Sequence, residues 1–328
     1  MLPKPNRDVM AASTPDPLRP GDGTSSGVTI AVLTYQRPRD LAELLPALVS
    51  QAREVSAEVD ILVVDNDPAG GARAVVREAA ADAPVRYTHE AAPGIAAARN
   101  RALDEARSAL LVFIDDDERP TPHWLAHLLA VHAGHRVQAV VGPVVSRYDT
   151  PPSRWVESGR FFDRRRMPTL TPVTVAATNN LLLDLAWVHR KGLRFDTRFG
   201  LSGGSDSLFT RQLHNRGGRM LWCDEAVVID VVPASRLTRS WVLRKAYRIG
   251  NASSRVLLDG TAPGRRLLLR LRLLGAGSVR VVGGSLRVLA GLVTGRISHR
   301  ARGLRTAARG AGMLSGSLGS VYSEYSRN

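Results

Sequence analysis

The sequence predicts an α/β fold, in which a mostly parallel sheet is flanked by helices and followed by a basic helical extension. From residue 28 onward, short apolar strand segments alternate with helical segments of roughly 12–15 residues, a spacing typical of parallel sheets. The chain has 328 residues, of which 44% are hydrophobic, so it is long enough to bury a substantial core. A third observation, the carboxylates that follow two of the strands, indicates where a ligand would bind.

The predicted elements follow one another in a regular order. Pro38 starts the first helix, since proline fits the first turn, and leucines at 41, 44, 45 and 48 recur at helical spacing. An Ala- and Arg-rich helix follows the second strand. The predicted strands lie at 28–34, 59–64, 85–88, 110–114 and 137–141, and further helices at 95–107 and 122–132.

Composition divides the chain into three parts. Residues 1–27 are rich in Pro, Ser, Gly and Asp and lack an apolar run, which predicts a disordered leader rather than a secretory signal. Residues 28–235 are predicted to form the main domain, with a first half at 28–145 and a second at 146–235. The second half contains a Pro- and Arg-rich stretch expected to be a loop (146–175) and a helix at 206–216. The single cysteine, Cys223, excludes an intramolecular disulfide.

The third part, residues 236–328, carries the whole basic character of the chain. It has 18 Lys and Arg but two acids, a net charge of +16, whereas the rest of the chain is at −1. No uncharged run between 236 and 309 exceeds eight residues, so a classical transmembrane helix is not expected. We expect a basic amphipathic helical tail on an anionic membrane surface; the alternative is a helix packed on the domain with its arginines in water.

The tail contains one feature that favours an amphipathic helix and one that argues against a continuous helix. Arg266, Arg270, Arg280 and Arg287 share one side of a helix drawn at 100° per residue. Glycines at 275, 277, 283 and 284 interrupt that helix, and glycine is a poor helix former. A break in this segment is therefore expected.

Polar residues stand at the carboxyl ends of the strands, where parallel sheets bind ligands. These residues are Thr34, Asp65 and the run Asp115-Asp116-Asp117. Because alternate residues of an extended segment point the same way, Asp115 and Asp117 are aimed at one site. Carboxylates with substrate phosphates are typical ligands of Mg²⁺ and Mn²⁺, so a metal site is predicted; a solvated acidic turn is the alternative.

Three further positions have both a functional and a structural interpretation. Asp65 has the chemistry to bind a nucleobase or ribose, or to form a turn before Pro68. Arg99, in a helix opened by small residues, is suited to a phosphate or base edge, or to simple packing. Asp206 follows Gly203-Gly204-Ser205 and is either a helix cap or a general base.

Other chemistries lack their motifs. The chain has no Gly-x-Gly-x-x-Gly fingerprint after a strand and no P-loop, which argues against hydride transfer and nucleotide triphosphate hydrolysis. It has no Cys and His cluster with zinc spacing.

The ordered motifs resemble those of the inverting glycosyltransferases of family 2, which have the GT-A fold. The resemblance covers about two-thirds of the chain, from Val28 to Arg239, and is greatest to bacterial exopolysaccharide enzymes. It rests on the motifs Thr34-Tyr35-Gln36-Arg37-Pro38, Val64-Asp65-Asn66, Pro93-Gly94 with Arg99-Asn100, Asp115-Asp116-Asp117, Thr178-Asn179-Asn180 and Gly203-Gly204-Ser205-Asp206.

The resemblance implies a role for each site residue. Thr34, Tyr35, Arg37, Arg99 and Asp115 are implied in donor binding, and Asp65 in contacting the base, typically uracil. Asp115 and Asp117 are the implied Asp-x-Asp pair that binds Mn²⁺ or Mg²⁺, with Asp117 the direct ligand. Asp206 is the implied general base, although Ser205 stands where glutamate is usual. Asp230 lies where some members have a metal-binding histidine.

We therefore expect a metal-dependent enzyme that transfers a sugar, with inversion, from a nucleotide-sugar such as a UDP-sugar. The acceptor is expected to be a glycan, a lipid-linked intermediate or a small molecule, and the enzyme to be cytoplasmic and peripheral on the inner face of the membrane. Two alternatives remain open at this point. A nucleotidyltransferase would use a glycine-rich loop after the first strand, which residues 34–38 lack. A nucleic-acid binder would need aromatic side chains that are sparse in the tail, so no nucleic acid is expected.

Overall fold

A computed structural model describes residues 25–322. The leader predicted at 1–27 therefore lies almost wholly outside the described residues, as does the end of the chain from 323. The strands are β1 (Ser25–Thr34), β2 (Val59–Asp65), β3 (Val85–His89), β4 (Ser108–Asp115), β5 (Glu118–Pro120), β6 (Ala139–Val141), β7 (Val144–Tyr148), β8 (Pro172–Val173), β9 (Asn180–Asp184), β10 (Met220–Trp222) and β11 (Val228–Val232).

Ten α-helices are found within the described residues. They are α1 (Pro38–Arg53), α2 (Arg73–Ala79), α3 (Ile95–Glu105), α4 (Trp124–His135), α5 (Arg154–Gly159), α6 (Leu185–Arg190), α7 (Ser205–Asn215), α8 (Arg239–Asp259), α9 (Pro263–Val293) and α10 (Ile297–Ser317). Two short 3-10 turns lie at Thr197–Phe199 and Ala234–Arg236.

The main sheet has eight strands in the order β3-β2-β1-β4-β9-β6-β10-β8, and β5, β11 and β7 form a second, small sheet. The strands from β3 to β4 are parallel, as the sequence predicted. The short strand β9 lies antiparallel between β4 and β6. The predicted mostly parallel α/β fold with a helical extension is confirmed.

Strand register brings the polar strand ends together at one edge. Thr34 is paired with Asp65 across β1 and β2, and Leu33 with Asp115 across β1 and β4. Alternate residues of β1 enter two apolar cores, one under α1 and α4 and the other under α3 and α7. Because both faces of the sheet are buried, its carboxyl edge is held rigidly.

The stretch at 146–175, expected to be a loop, is more structured than its composition indicated. It contains the end of β7, helix α5 and strand β8. Helix α5 begins after Ser153, whose hydroxyl accepts a hydrogen bond from Val156 N at 3.5 Å, a usual N-cap contact. The proline- and arginine-rich composition hid this short cap signal.

The prediction of a break in the tail is wrong, because α9 continues for 31 residues through all four glycines. The physical reason is packing against α10. A Cβ at Gly277 would lie 2.9 Å from Leu314, and one at Gly284 would lie 2.6 Å from Ala307 N. Gly277 and Gly284 let the two backbones approach closely, which offsets poor helix propensity, whereas Gly275 and Gly283 face open space.

The arginine side of α9 also carries Gly277 and Gly284, the glycines that face α10. At 100° per residue, Arg266, Arg270, Arg280 and Arg287 project on the half of α9 that packs toward α10. The opposite half carries exposed leucines and valines, together with Arg265 and Arg272. Helix α9 is the one helix among residues 25–322 that is long and apolar enough to cross a membrane, with a mean hydropathy of 1.3 over 18 residues, of which 17% are buried.

We expect neighbouring glycines of α9 to respond oppositely to alanine. Gly284→Ala should lower the free energy of unfolding by about 1–3 kcal/mol, because the new methyl group meets the α10 backbone. Gly283→Ala should raise it by up to about 1 kcal/mol, because no atom lies within 4 Å of a Cβ there and alanine favours the helix. Thermal unfolding followed by circular dichroism measures both, and equal effects would contradict this packing.

Candidate active site

A cavity of about 970 Å³ opens at the carboxyl edge of the main sheet. Its walls come from the ends of β1 and β4, the start of α7 and one side of α8. All but one of the predicted site residues line it, namely Thr34, Tyr35, Arg37, Arg99, Asp115, Asp117 and Asp206. The structure therefore collects into one cavity residues that are up to 172 positions apart in the chain, between Thr34 and Asp206.

Four consecutive acidic residues, 115–118, lie at the end of β4 and directly after it, and we call them the acidic segment. A threonine and two arginines hold this segment in place. Buried Asp116 accepts hydrogen bonds from Thr34 Oγ1 at 2.8 Å and from Arg37 Nη1 at 2.9 Å. The next carboxylate, Asp117, accepts at Oδ2 from Arg37 Nη1 at 2.9 Å and from Arg236 Nη2 at 3.0 Å. Asp116 thus anchors the acidic segment to β1, while Asp117 is bound inside the cavity by the guanidinium groups of two arginines.

Burial makes this segment reluctant to carry full negative charge. Desolvation, reinforced by Asp117, raises the pKa of Asp115 above its ordinary range. Desolvation also raises the pKa of Asp116 to about 6, although Arg37 acts in the opposite direction. The pKa of Glu118 is raised well above its usual value by burial and then by Asp115. A bound cation would relieve this repulsion, because positive charge favours the ionised carboxylates.

The carboxylates of the cavity are of the kind that bind a divalent cation. Among residues 25–322, no three His, Cys, Asp or Glu side chains are grouped as a ready metal site. Asp230 also faces the cavity, and among the described residues its buried Oδ1 has no hydrogen-bond partner, while Arg164 Nη2 contacts its Oδ2. The carboxylates of Asp115 and Asp117 line the cavity and fit Mg²⁺ or Mn²⁺, which commonly bind one or two carboxylates and complete their shell with substrate phosphates.

Asp65 is the predicted site residue that the structure does not place in the cavity. Its carboxylate is fully buried and accepts hydrogen bonds from Asp67 N at 2.9 Å, Ala72 N at 3.0 Å and Tyr87 Oη at 3.1 Å. The adjacent Asn66 lines the cavity instead, and its Oδ1 accepts from Gly94 N at 3.0 Å. The structure thus shows Asp65 in its turn-forming role, the alternative that the sequence left open.

Arg99 and Ser205 connect α3 to the turn that carries Asp206. The Arg99 side chain is buried, donates from Nη1 to Ser205 Oγ at 2.8 Å and lies over the Phe195 ring. Gly203 and Gly204 have φ of 78° and 98°, values that favour glycine, and they deliver Asp206 to the first turn of α7. Gly204 is the N-cap of that helix and Asp206 lies inside it, so Asp206 is not the cap.

Helix α8 contributes a wall that the sequence did not indicate. Its cavity-facing residues are Trp241, Lys245, Arg248, Ile249, Ala252, Ser253, Val256 and Leu257. Burial and then the neighbouring Arg164 and Arg248 lower the pKa of Lys245 to about 8. The helical spacing of these residues was a usable signal, but nothing in the sequence indicated that this face meets the sheet edge.

We expect Asp65→Ala to destabilise the fold. Removing the carboxylate leaves the buried Asp67 and Ala72 N–H groups unpaired, at a cost of about 1–3 kcal/mol each. Urea unfolding measures the loss, with Asp82→Ala, at an exposed position, as the matched control. If Asp65→Ala matched that control in stability but lost UDP binding, Asp65 would contact the base directly and the turn-forming role would be wrong.

Comparison with known proteins identifies the family of the chain. Residues 29–188 match the model of the glycosyl transferase family 2. The chain is 33% identical over 294 residues to the succinoglycan biosynthesis protein ExoM of Rhizobium meliloti, covering 89% of this chain and 93% of ExoM. It is also 26% identical over 250 residues to the glycosyltransferase AglE of Haloferax volcanii, covering 75% and 80%.

Solved structures share the fold at low sequence identity. The mannosyltransferase PcManGT from Pyrobaculum calidifontis, in complex with GDP-Man and Mn²⁺, superposes with a TM-score of 0.60 at 19% identity, covering 91% of this chain and 90% of its own. Residues 1–349 of S. aureus TarS, in complex with UDP, superpose with a TM-score of 0.52 at 16% identity, covering 90% and 93%. Together with the match to ExoM over most of both chains, these findings show that the chain belongs to glycosyltransferase family 2 and is a glycosyltransferase with the GT-A fold.

Proposed function

We propose that the enzyme transfers a sugar, with inversion, from a nucleotide-sugar to an acceptor hydroxyl, with the help of a divalent cation. One observation carries this proposal: Asp115 and Asp117, at the end of β4, and Asp206, at the start of α7, face the same cavity from different walls. Inverting transfer needs such a division between carboxylates that serve the leaving diphosphate and a carboxylate that serves the acceptor.

The donor half of the cavity supports a nucleoside diphosphate. Thr34, Tyr35 and Asn66 line it beside the acidic segment, and Arg37 and Arg99 supply positive charge. A cation bound by Asp115 and Asp117 would offset the negative charge that develops on the diphosphate. UDP is found in TarS and GDP-Man in PcManGT, so a UDP-sugar is our first candidate and a GDP-sugar the second.

The transfer itself is a single displacement at the anomeric carbon. Asp206 takes the proton of the acceptor hydroxyl as its oxygen forms the new bond to that carbon, and the bond to the diphosphate oxygen breaks. The transition state has oxocarbenium character, as in glycoside hydrolysis, so the charges that surround it matter more than covalent chemistry. Asp206 accepts a hydrogen bond from Ser207 N at 2.7 Å, which orients the carboxylate on a rigid helix.

The acceptor is expected to meet the α8 wall, which the cavity shares with Asp206. ExoM is named for succinoglycan biosynthesis, so we place this enzyme in polysaccharide or glycoconjugate synthesis, with a glycan, lipid-linked or small-molecule acceptor. Lys245 lies 4.6 Å from the Trp241 ring centre on this wall, an arrangement of aromatic and cationic groups suited to a glycan that carries negative charge.

The exposed half of α9 supports peripheral binding to an anionic membrane from the cytoplasm. Leu267, Val279, Val282 and Leu286 are each at least 60% exposed on this side, and basic residues surround them. A membrane-spanning α9 is disfavoured because it would draw the tightly packed α10 into the bilayer with four arginines, each costing about 2.5–3.5 kcal/mol at the centre. Binding in the plane of the interface avoids this cost.

We expect Asp206→Asn to retain nucleotide binding but to lose transfer by about 10²–10⁴-fold, because the amide cannot accept the proton. Asp117→Ala is the matched variant with the opposite defect, a loss of Mn²⁺-dependent nucleotide binding. Thermal stabilisation by a series of nucleotide-sugars with Mn²⁺ measures binding, and product analysis measures transfer and anomeric configuration. Full transfer by Asp206→Asn would show that another group is the base.

We expect the double variant Val282→Ser with Leu286→Ser to bind vesicles of phosphatidylglycerol and phosphatidylethanolamine roughly tenfold more weakly than the unchanged chain. The variant removes apolar surface from the exposed side of α9, and binding to the interface scales with that surface. Leu170→Ser, an exposed leucine on the main domain, is the control. Cosedimentation gives the affinities, and equal binding by all three proteins would exclude α9 as the membrane contact.

A further inference from the structure

Arg236 connects the tail to the acidic segment of the cavity. It ends the 3-10 turn Ala234–Arg236, between strand β11 and helix α8. Its Nη2 donates to Asp117 Oδ2 at 3.0 Å, and its Nη1 lies 3.9 Å from Asp230 Oδ1. One guanidinium therefore stands between two carboxylates and is hydrogen-bonded to only one of them.

The second carboxylate, that of Asp230, has an oxygen available to accept a hydrogen bond from the Arg236 guanidinium. Asp230 is largely buried, and Arg164 contacts its Oδ2 and holds the side chain in place. Its Oδ1 is buried and, among the described residues, has no hydrogen-bond partner. A buried acceptor without a partner is costly, so a small rotation of Arg236 toward Asp230 would satisfy it.

A divalent cation and Arg236 require the same carboxylate. Asp117 Oδ2 already accepts from both Arg37 and Arg236. A divalent cation bound to Asp117 would be the third positively charged group there, and the mutual repulsion favours the departure of one arginine. Arg37 is also bound to Asp116 at 2.9 Å, which holds it in the cavity wall, whereas Arg236 has an alternative acceptor within reach.

We propose that Arg236 is a positioning residue whose guanidinium exchanges from Asp117 to Asp230 when a divalent cation binds Asp117. The inference rests on the metal site of the proposed function and goes beyond it. While Arg236 holds Asp117, it opposes metal binding. Arg236 therefore weakens the binding of the metal ion in the absence of nucleotide. A nucleoside diphosphate supplies further ligand oxygens, so in its presence the metal ion competes better with Arg236 for Asp117.

The test measures Mn²⁺ affinity of the full chain without nucleotide, by the electron paramagnetic resonance signal of free Mn²⁺. Arg236→Gln should bind Mn²⁺ about tenfold more tightly, because the loss of a charge-assisted hydrogen bond frees Asp117. Arg236→Lys, which keeps the charge without the planar fork, should lie between the two. Arg239→Gln, which removes a nearby charge that faces Trp155, controls for net charge and should leave Mn²⁺ affinity unchanged.

A double-mutant cycle with Asp230→Asn tests the exchange itself. If Asp230 receives Arg236, Asp230→Asn weakens Mn²⁺ binding more in the unchanged chain than in Arg236→Gln. An equal or larger effect in Arg236→Gln would make Asp230 a direct metal ligand and overturn the exchange. Mn²⁺ affinity in Arg236→Gln equal to that of Arg239→Gln would also overturn it, with thermal unfolding confirming that both variants are folded.

The same titration separates this inference from the proposed function. If Asp117→Ala binds Mn²⁺ with UDP as well as the unchanged chain does, the proposed metal site itself is wrong. If Asp117→Ala loses that binding but Arg236→Gln matches Arg239→Gln, only the exchange is wrong.

Discussion

The structure of the cavity depends on how four consecutive acidic residues are kept at the edge of a buried sheet. Burial deprives Asp115, Asp116 and Glu118 of water, which raises the pKa of each of these carboxyl groups. Thr34 and Arg37 of the β1 end stabilise the middle of the run, and Arg236 adds a cation from a remote part of the chain. The balance of charge thus ties the first strand, the acidic segment and the start of the tail together.

This charge balance requires a rigid sheet edge. Thr34 and Asp115 are the last residues of β1 and β4, and the register of β1 with β2 and β4 fixes their positions. Two apolar cores hold that register from both faces of the sheet. The antiparallel β9 then extends the sheet beyond β4. The first residue of β9, Asn180, accepts a hydrogen bond from Trp124 Nε1 at 2.9 Å and donates to Ala226 O at 2.7 Å. The preceding Asn179 donates to Glu118 Oε1 at 2.6 Å, so the same strand start also supports the acidic segment.

Much of the fold was predictable because its signals are local. Apolar strands of the first half, their carboxylate ends and the two-glycine turn before Asp206 are readable from short windows of sequence. The direction in which the side chain of a strand-end residue points is harder to predict from the sequence, because it depends on the turn that follows the strand. Asp65 illustrates this: three donors from Asp67, Ala72 and Tyr87 draw its carboxylate inward, and only the folded loop brings those donors together.

The tail was harder to predict because its glycines serve a partner helix. Glycine spacing within α9 indicates weak helix propensity when considered alone, and its compensation lies in α10, where Gly303 and Gly310 allow the same close approach. Helix α8 is bound to α10 in the same way, with Gly312 against Tyr247 O and Gly316 against Asn251 O. A sequence segment read alone cannot indicate contacts of this kind.

These glycine contacts connect the described part of the tail to the wall of the cavity. Helix α10 packs against α9, whose apolar side is exposed, and also against α8, whose opposite side lines the cavity with Lys245 and Val256. Helix α8 begins at Arg239, three residues after Arg236, which binds Asp117. Close backbone packing leaves little room for adjustment, so the position of the α8 wall depends on α10 and, through α10, on α9. The basic helices of residues 239–317 are therefore packed together as the support of one wall of the cavity.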